Sequence, residues 1–166
     1  NIARVLLAAE DSRWLAAAAA LAERARPLAR PNPGVGAIIV AAGRVVGRGW
    51  TQTGGRPHAE AVALHQAGPA AHGATLYVTL EPCAHVGKTS PCAPRIIASG
   101  VRKVVVCTAD PAPHTAGRGL ELLRGAGIDV EVGLLADEGR RLIAPFTKLM
   151  TRGLPWVHAK WAMTLD

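Results

Sequence analysis

The sequence predicts an α/β protein, a layered sheet with helices on both faces. Short β-branched runs such as "GATLYVTL" and "KVVVCTA" alternate with alanine- and leucine-rich stretches of helical length. Gly/Pro-rich breaks such as "RPNPGVG" separate them. At 166 residues, 49% hydrophobic and 19% charged, the chain suits one domain with a real core and is too short for two full-sized ones.

The elements follow in order. An alanine-rich stretch from Asp11 to about Arg26 reads as a helix, with Asp11 or Ser12 as its N-cap. The prolines and glycines of "RPNPGVG", residues 30–36, stop it. "AIIVAAGRVVGRGW" holds two short β-rich runs hinged at Gly43, a hairpin pattern. "HAEAVALHQAG" reads as a helix from His58 to Gly68, and "GATLYVTL" as a buried strand entering the loop "PCAHVGKTSPC", residues 82–92. A helix runs from after Pro91 to about Ser99 and is followed by the strand "KVVVCTA". Next come the helix "GRGLELLRGAG", the strand "DVEVGLL" and a last helix from about Ala136 to Met150. The tail "LPWVHAKWAMTLD" follows a break and reads as the start of a further strand, as at a domain boundary.

Composition narrows the function. The apolar runs are too short to span a bilayer. "WLAAAAALAERARP" reads poorly as a signal peptide, because Glu10, Asp11 and Glu23 surround it and no basic segment leads into a continuous apolar core. A cytoplasmic protein is therefore expected. Cys83, Cys92 and Cys107 are too few, and odd in number, for a disulfide framework, and in a reducing compartment a close pair points to metal or to chemistry. The net charge of +7 comes from scattered arginines, and one Tyr and one Phe leave few stacking platforms, which argues against nucleic acid. A phosphate-bearing small molecule is compatible with that charge.

The loop "PCAHVGKTSPC" has a partner in "PHAE", residues 57–60. His58, Cys83 and Cys92 make one imidazole and two thiols, a set suited to Zn²⁺ with the fourth tetrahedral position left open, as in catalytic sites. Helix N-termini at His58 and Cys92 favour thiolate over thiol. Glu60, a carboxylate in an apolar helix opening, is placed to accept a proton from water and hand it to a leaving nitrogen. An H-x-E followed by P-C-x-x-C marks zinc deaminases. Here eight residues, not two, separate the cysteines.

Together "PNPGVGAIIV", "GRPHAEAVAL", "GATLYVTLEPCAHVGKTSPC" and "DPAPHTAGRGLELLRGAGIDVEVGLL" closely resemble the deaminase domain of the bifunctional riboflavin-biosynthesis protein, of the cytidine-deaminase-like superfamily. The resemblance runs from about residue 12 to the end. It implies a three-layer α/β/α sandwich with a mixed central sheet. Residues 1–150 are then the zinc-dependent deaminase domain, and residues 151–166 a linker and first strand like the opening of a reductase domain that is otherwise absent. One Zn²⁺ per chain is implied, with no NADPH. The implied substrate is 2,5-diamino-6-ribosylamino-4(3H)-pyrimidinone 5′-phosphate, which loses its C2 amine as ammonia while Glu60 moves the proton. Asn32 matches a substrate-contacting asparagine, Lys88 a basic residue that meets the phosphate, and Asp110 an acid that contacts the ribosyl part. No nucleic acid or membrane partner is implied, and a homo-oligomer is. Thr51, Ala84, Ser90 and Ala112 differ from common members of the family, which have His, Ser, Pro and Asn there.

Plainer readings stand beside these. Taken singly, His58 suits a cap, Glu60 a first-turn glutamate and Lys88 a solvated loop lysine. Asn32 and Asp110 both suit turns, His85 is a loop histidine beside a ligand, and Cys107 is a small core hydrophobe. The alternatives for function are deamination of another base or nucleotide, or a non-catalytic zinc module. The second would lack Glu60 or close the metal with a fourth protein ligand.

Overall fold

Alternation along the strands decides the layering. Ile38, Val40, Tyr77, Val105 and Cys107 are buried on one side of the sheet, and Ala37, Ile39, Leu76, Val78, Val104 and Val106 on the other. Successive side chains of a strand point to opposite faces, so both faces need a cover. A computed structural model describes residues 2–85, 90–113 and 115–164. In it the chain runs α1 (Ile2–Ala25), β1 (Gly36–Ala41), β2 (Arg44–Trp50), α2 (Ala59–Ala67), β3 (Thr75–Leu80), α3 (Cys92–Ala98), β4 (Lys103–Thr108), α4 (Arg118–Gly125), β5 (Asp129–Val132) and α5 (Ala136–Arg152).

The five strands lie in the order β2-β1-β3-β4-β5. β1 is antiparallel to both β2 and β3, while β3, β4 and β5 are parallel. The sheet is mixed, as the family resemblance implies. The β1–β2 hairpin turns at Ala42 and Gly43, the hinge expected from the sequence. α2, α3 and α4 contribute Ala59, Ala63, Ile96, Leu120 and Leu123 to one layer, and α1 contributes Leu15 and Ala18 to the other. α5 joins α1 on that second side, its Gly139 lying against Cys107. α2 seats directly on β2 because a side chain at Gly49 would fall 2.3 Å from the Ala59 carbonyl. That contact fixes the start of the helix that carries Glu60.

Two expectations are corrected. α1 begins at Ile2, so Asp11 is no N-cap. It sits mid-helix and buried, where its carboxylate accepts the Tyr77 hydroxyl at 2.6 Å and the Lys103 ammonium at 2.9 Å. Lys103 also pairs with Glu131 at 2.9 Å, so the group ties α1 to β3, β4 and β5. The second correction is the tail. Residues 154–164 form no strand and are exposed throughout, and α5 continues to Arg152 before it breaks at Gly153. A strand exists by pairing, and these residues have no ladder partner in the described sheet. No described helix is long and apolar enough to cross a membrane.

Candidate metal centre and active site

The site gathers at the carboxyl ends of β3 and β4, where the sheet changes from antiparallel to parallel and open α/β sheets place their ligands. His58 is the N-cap of α2, with extended backbone and no side-chain cap bond, which leaves its ring to turn inward. Cys92 opens α3, and Cys83 follows the β3 end by a Glu-Pro step. The Cys92 amide donates to Cys83 Sγ at 3.3 Å and the Ala93 amide to the Cys83 carbonyl at 3.0 Å. These bonds pin the two ends of the long loop together.

His58 Nδ1 lies 3.6 Å from Cys83 Sγ and 3.5 Å from Cys92 Sγ, and the three ligand atoms all lie within 4.8 Å of one another. Zn–N of about 2.05 Å and Zn–S of about 2.3 Å at tetrahedral angles would set N and S about 3.6 Å apart. The donor set fits zinc in kind and in spacing. Both cysteines are free of disulfide. The Cys92 thiol and amide hold Cys83 down to about 4, and the same hydrogen bond together with burial pushes Cys92 far up. The Cys83 contact raises His58, against burial, which acts to lower it. A divalent ion would remove this conflict by favouring thiolate at both positions.

Glu60 is 4% exposed, and burial pushes its carboxyl up to about 7 although His58 acts to lower it. It lines a cavity of about 360 Å³ together with His58, Cys83, Asn32, Asp110 and Phe146. That volume falls in the range of small-molecule sites. Asn32 Nδ2 donates to the Gly55 carbonyl at 2.9 Å and stands 3.5 Å from His58 Nε2. Asp110 accepts the Ala112 amide at 2.9 Å in a turn, as its plainer reading expects, and still faces the cavity. His85 lines the same wall. Lys88 lies outside the described residues.

Of the four departures from the family pattern, Thr51 and Ala112 line the cavity. Thr51 Oγ1 accepts the Val35 amide at 3.0 Å, which ties the end of β2 to the Asn32 turn. Ala84 and Ser90 lie in the loop between the cysteines. Phe146 and Met150 of α5, Arg56 and Glu81 also line the cavity, and none was expected from the sequence. The signal for Glu81 was present in "TLEPC", a carboxylate at the end of an apolar strand.

Comparison with known proteins agrees with this geometry. The "Cytidine and deoxycytidylate deaminase zinc-binding region" family matches residues 8–108. The "Riboflavin biosynthesis protein RibD" of Aquifex aeolicus is 49% identical over 156 residues, which are 94% of this chain and 44% of that protein. Among solved structures, Acinetobacter baumannii RibD superposes with a TM-score of 0.87 at 46% identity, covering 90% of this chain and 42% of that one. The Thermotoga maritima diaminohydroxyphosphoribosylaminopyrimidine deaminase/5-amino-6-(5-phosphoribosylamino)uracil reductase gives 0.85 at 39% identity, covering 90% and 43%. The chain thus spans less than half the length of these relatives. With the expected fold and a donor set that fits zinc, the chain belongs to the cytidine and deoxycytidylate deaminase family and carries its zinc-binding region.

Proposed function

We propose that this chain deaminates 2,5-diamino-6-ribosylamino-4(3H)-pyrimidinone 5′-phosphate at C2, releasing ammonia. The observation that carries the reading is the placement of a buried carboxyl, Glu60, beside the His58/Cys83/Cys92 cluster on a cavity of small-molecule size. Near-half identity to riboflavin-biosynthesis proteins across almost the whole chain points to their pyrimidine as the substrate.

His58, Cys83 and Cys92 would hold one zinc ion, whose chemistry is to acidify water at neutral pH and to polarise the reacting carbon. Glu60 accepts one proton from the attacking water and gives it to the ring nitrogen beside C2. It then takes the second proton from the hydroxyl added at C2 and gives it to the departing amine, so that the C–N bond breaks as C2=O forms and ammonia leaves. A carboxyl that burial brings to about 7 suits both directions of transfer. Asn32 and Asp110, on the cavity wall, orient the ring and the ribosyl part, and Lys88 meets the phosphate. Residues 1–150 constitute the deaminase domain, and residues 151–166 lead toward a reductase domain as in the bifunctional relatives. We further propose that the domain uses no NADPH, works in the cytoplasm and assembles as a homo-oligomer.

The test is ammonia release from the pyrimidine phosphate beside free cytidine, guanine and a tRNA anticodon loop. Turnover of the pyrimidine phosphate alone is the expected result. Preference for any other substrate would replace this reading with another deaminase specificity.

A further inference from the structure

A second buried carboxylate lines the cavity. Glu81 is 5% exposed and stands at the end of β3, two residues before Cys83. Placed there, it resembles a second acid or base. Its hydrogen bonds point elsewhere. Oε2 accepts the amides of Asp110 and Gly117, each at 3.0 Å, and Oε1 accepts those of Gly119 at 2.9 Å and Leu120 at 3.4 Å. A carboxylate offers about four acceptor positions, so these donors leave it little capacity for a substrate proton.

The four amides have a pattern. Asp110 and Gly117 are the two ends of the segment after β4, whose Asp110, Ala112 and Thr115 line the cavity. Gly119 and Leu120 belong to the first turn of α4, where amides lack helical partners. One side chain therefore closes the segment at both ends and attaches it to the helix start. The approach is close: a side chain at Gly119 would fall 1.9 Å from the Pro82 carbonyl and 3.2 Å from Glu81 Oε1, so only glycine lets α4 lie on the Glu81-Pro82 turn.

We propose that Glu81 is a positioning residue that holds the cavity wall made by Asp110, Ala112 and Thr115 in register with the Pro82–Cys83 step, and so sets substrate affinity without taking part in proton transfer. The inference rests on the deaminase reading for its effect on substrate, but the clamp itself can be tested without turnover. In Glu81→Gln the amide nitrogen replaces one acceptor oxygen and faces N–H groups, which releases one pair of the bonds. Zinc content should stay at the wild-type level. Hydrogen exchange at the Asp110, Gly117 and Gly119 amides should quicken roughly tenfold or more, with Val105 and Val106 in β4 unchanged. On whichever substrate the wild type turns over, KM should rise about tenfold while kcat stays within about threefold.

Should Glu81→Gln fail to fold, Glu81→Asp decides. One methylene shorter, it cannot span both amide pairs, and it should move exchange and KM in the same direction. Uniformly faster exchange across the sheet, a fall in kcat at constant KM, or a Glu81→Asp enzyme that matches wild type in both readouts would overturn the proposal. If the wild type fails on the pyrimidine phosphate while the exchange pattern holds, the clamp stands and the substrate reading falls.

Discussion

Two clusters of wholly or partly buried ionisable groups differ in how their members are paired. Beneath α1, Asp11 and Glu131 share the Lys103 ammonium, and Asp11 also takes the neutral Tyr77 hydroxyl. Burial and the Asp11 carboxylate push the Tyr77 phenol far up, so it remains a donor at any physiological pH. At the strand ends, burial pushes the Glu60 carboxyl up to about 7, and the Cys83 contact together with burial pushes the Cys92 thiol far up, beside the His58 ring. The first cluster pairs its acids with described donors, while the second brings one imidazole and two sulfurs to the spacing of a metal-ligand set. Ionisable groups paired with one another hold a fold together, and ligand-type side chains gathered at the edge of a cavity mark a place where something binds.

Substitutions can break this contrast. The largest effect is expected at the metal. Cys83→Ser removes a sulfur that accepts the Cys92 amide and lies 3.6 Å from the histidine nitrogen. Elemental analysis should find close to one zinc in wild type and under about a tenth of that in the variant, with deamination lost alongside. Full zinc retention in the variant would mean that the metal is held elsewhere.

Next comes Glu60, which is assigned to proton transfer and not to ligation. Glu60→Gln should keep its zinc while kcat falls by roughly two to four orders of magnitude. Metal and activity lost in parallel would show Glu60 to be a ligand or a structural prop.

The paired cluster should respond in the opposite manner. Asp11→Ala leaves Lys103 with one half-exposed partner, Glu131, and leaves the Tyr77 hydroxyl without its acceptor. Breaking a largely buried pair costs about 3 kcal/mol, or a Tm lower by roughly 6–12 °C. Zinc content and kcat at a temperature well below the melt should not change. The pH dependence has a definite sign. Burial acts to lower the Lys103 ammonium, and the Asp11 and Glu131 carboxylates overcome it and raise it. The stabilisation is thus fully present below the ordinary lysine value of about 10.4 and is lost as pH rises through the higher folded value. The gap in Tm between wild type and variant should hold to about pH 10 and narrow above it. A gap that closes on acidification from neutrality to about pH 6 would assign the stabilisation to other groups.

The contrast also explains what was legible in the sequence. His58 and Glu60 stood out as an H-x-E pair and Cys83 and Cys92 as the two ends of one loop, and the structure brings the three candidate ligands among them within 4.8 Å of one another. The strands were found because Ile38 to Val40 and Val104 to Cys107 are buried on both faces and read as unbroken apolar runs. Asp11 was misread as a cap because its partners, Tyr77 and Lys103, lie 66 and 92 residues away, and no local pattern announces them. Phe146 and Met150 were missed for a related reason: an apolar helix face looks the same whether it covers a core or a cavity. The tail looked like a strand because β-propensity is local, whereas a strand is made by its neighbour.

The smallest expected effect concerns the phosphate, and it sharpens the contrast at its outer edge. If zinc serves the reacting end of the substrate, the dianionic far end needs a cation of its own. Lys88, in the long loop between the two sulfurs, is the residue proposed for that role. A remote charge-assisted contact positions the ring for attack, so its loss acts on turnover as well as on affinity. Lys88→Ala should keep its zinc and lose on the order of tenfold in kcat/KM on the phosphorylated pyrimidine, about 1.4 kcal/mol. The dephosphorylated nucleoside should be a poor substrate for wild type and nearly indifferent to the substitution, having no phosphate to lose. Equal penalties on both substrates would make Lys88 a support of the zinc loop and would leave the phosphate anchor to be sought among the other basic residues around the cavity, of which Arg56 already lines the wall.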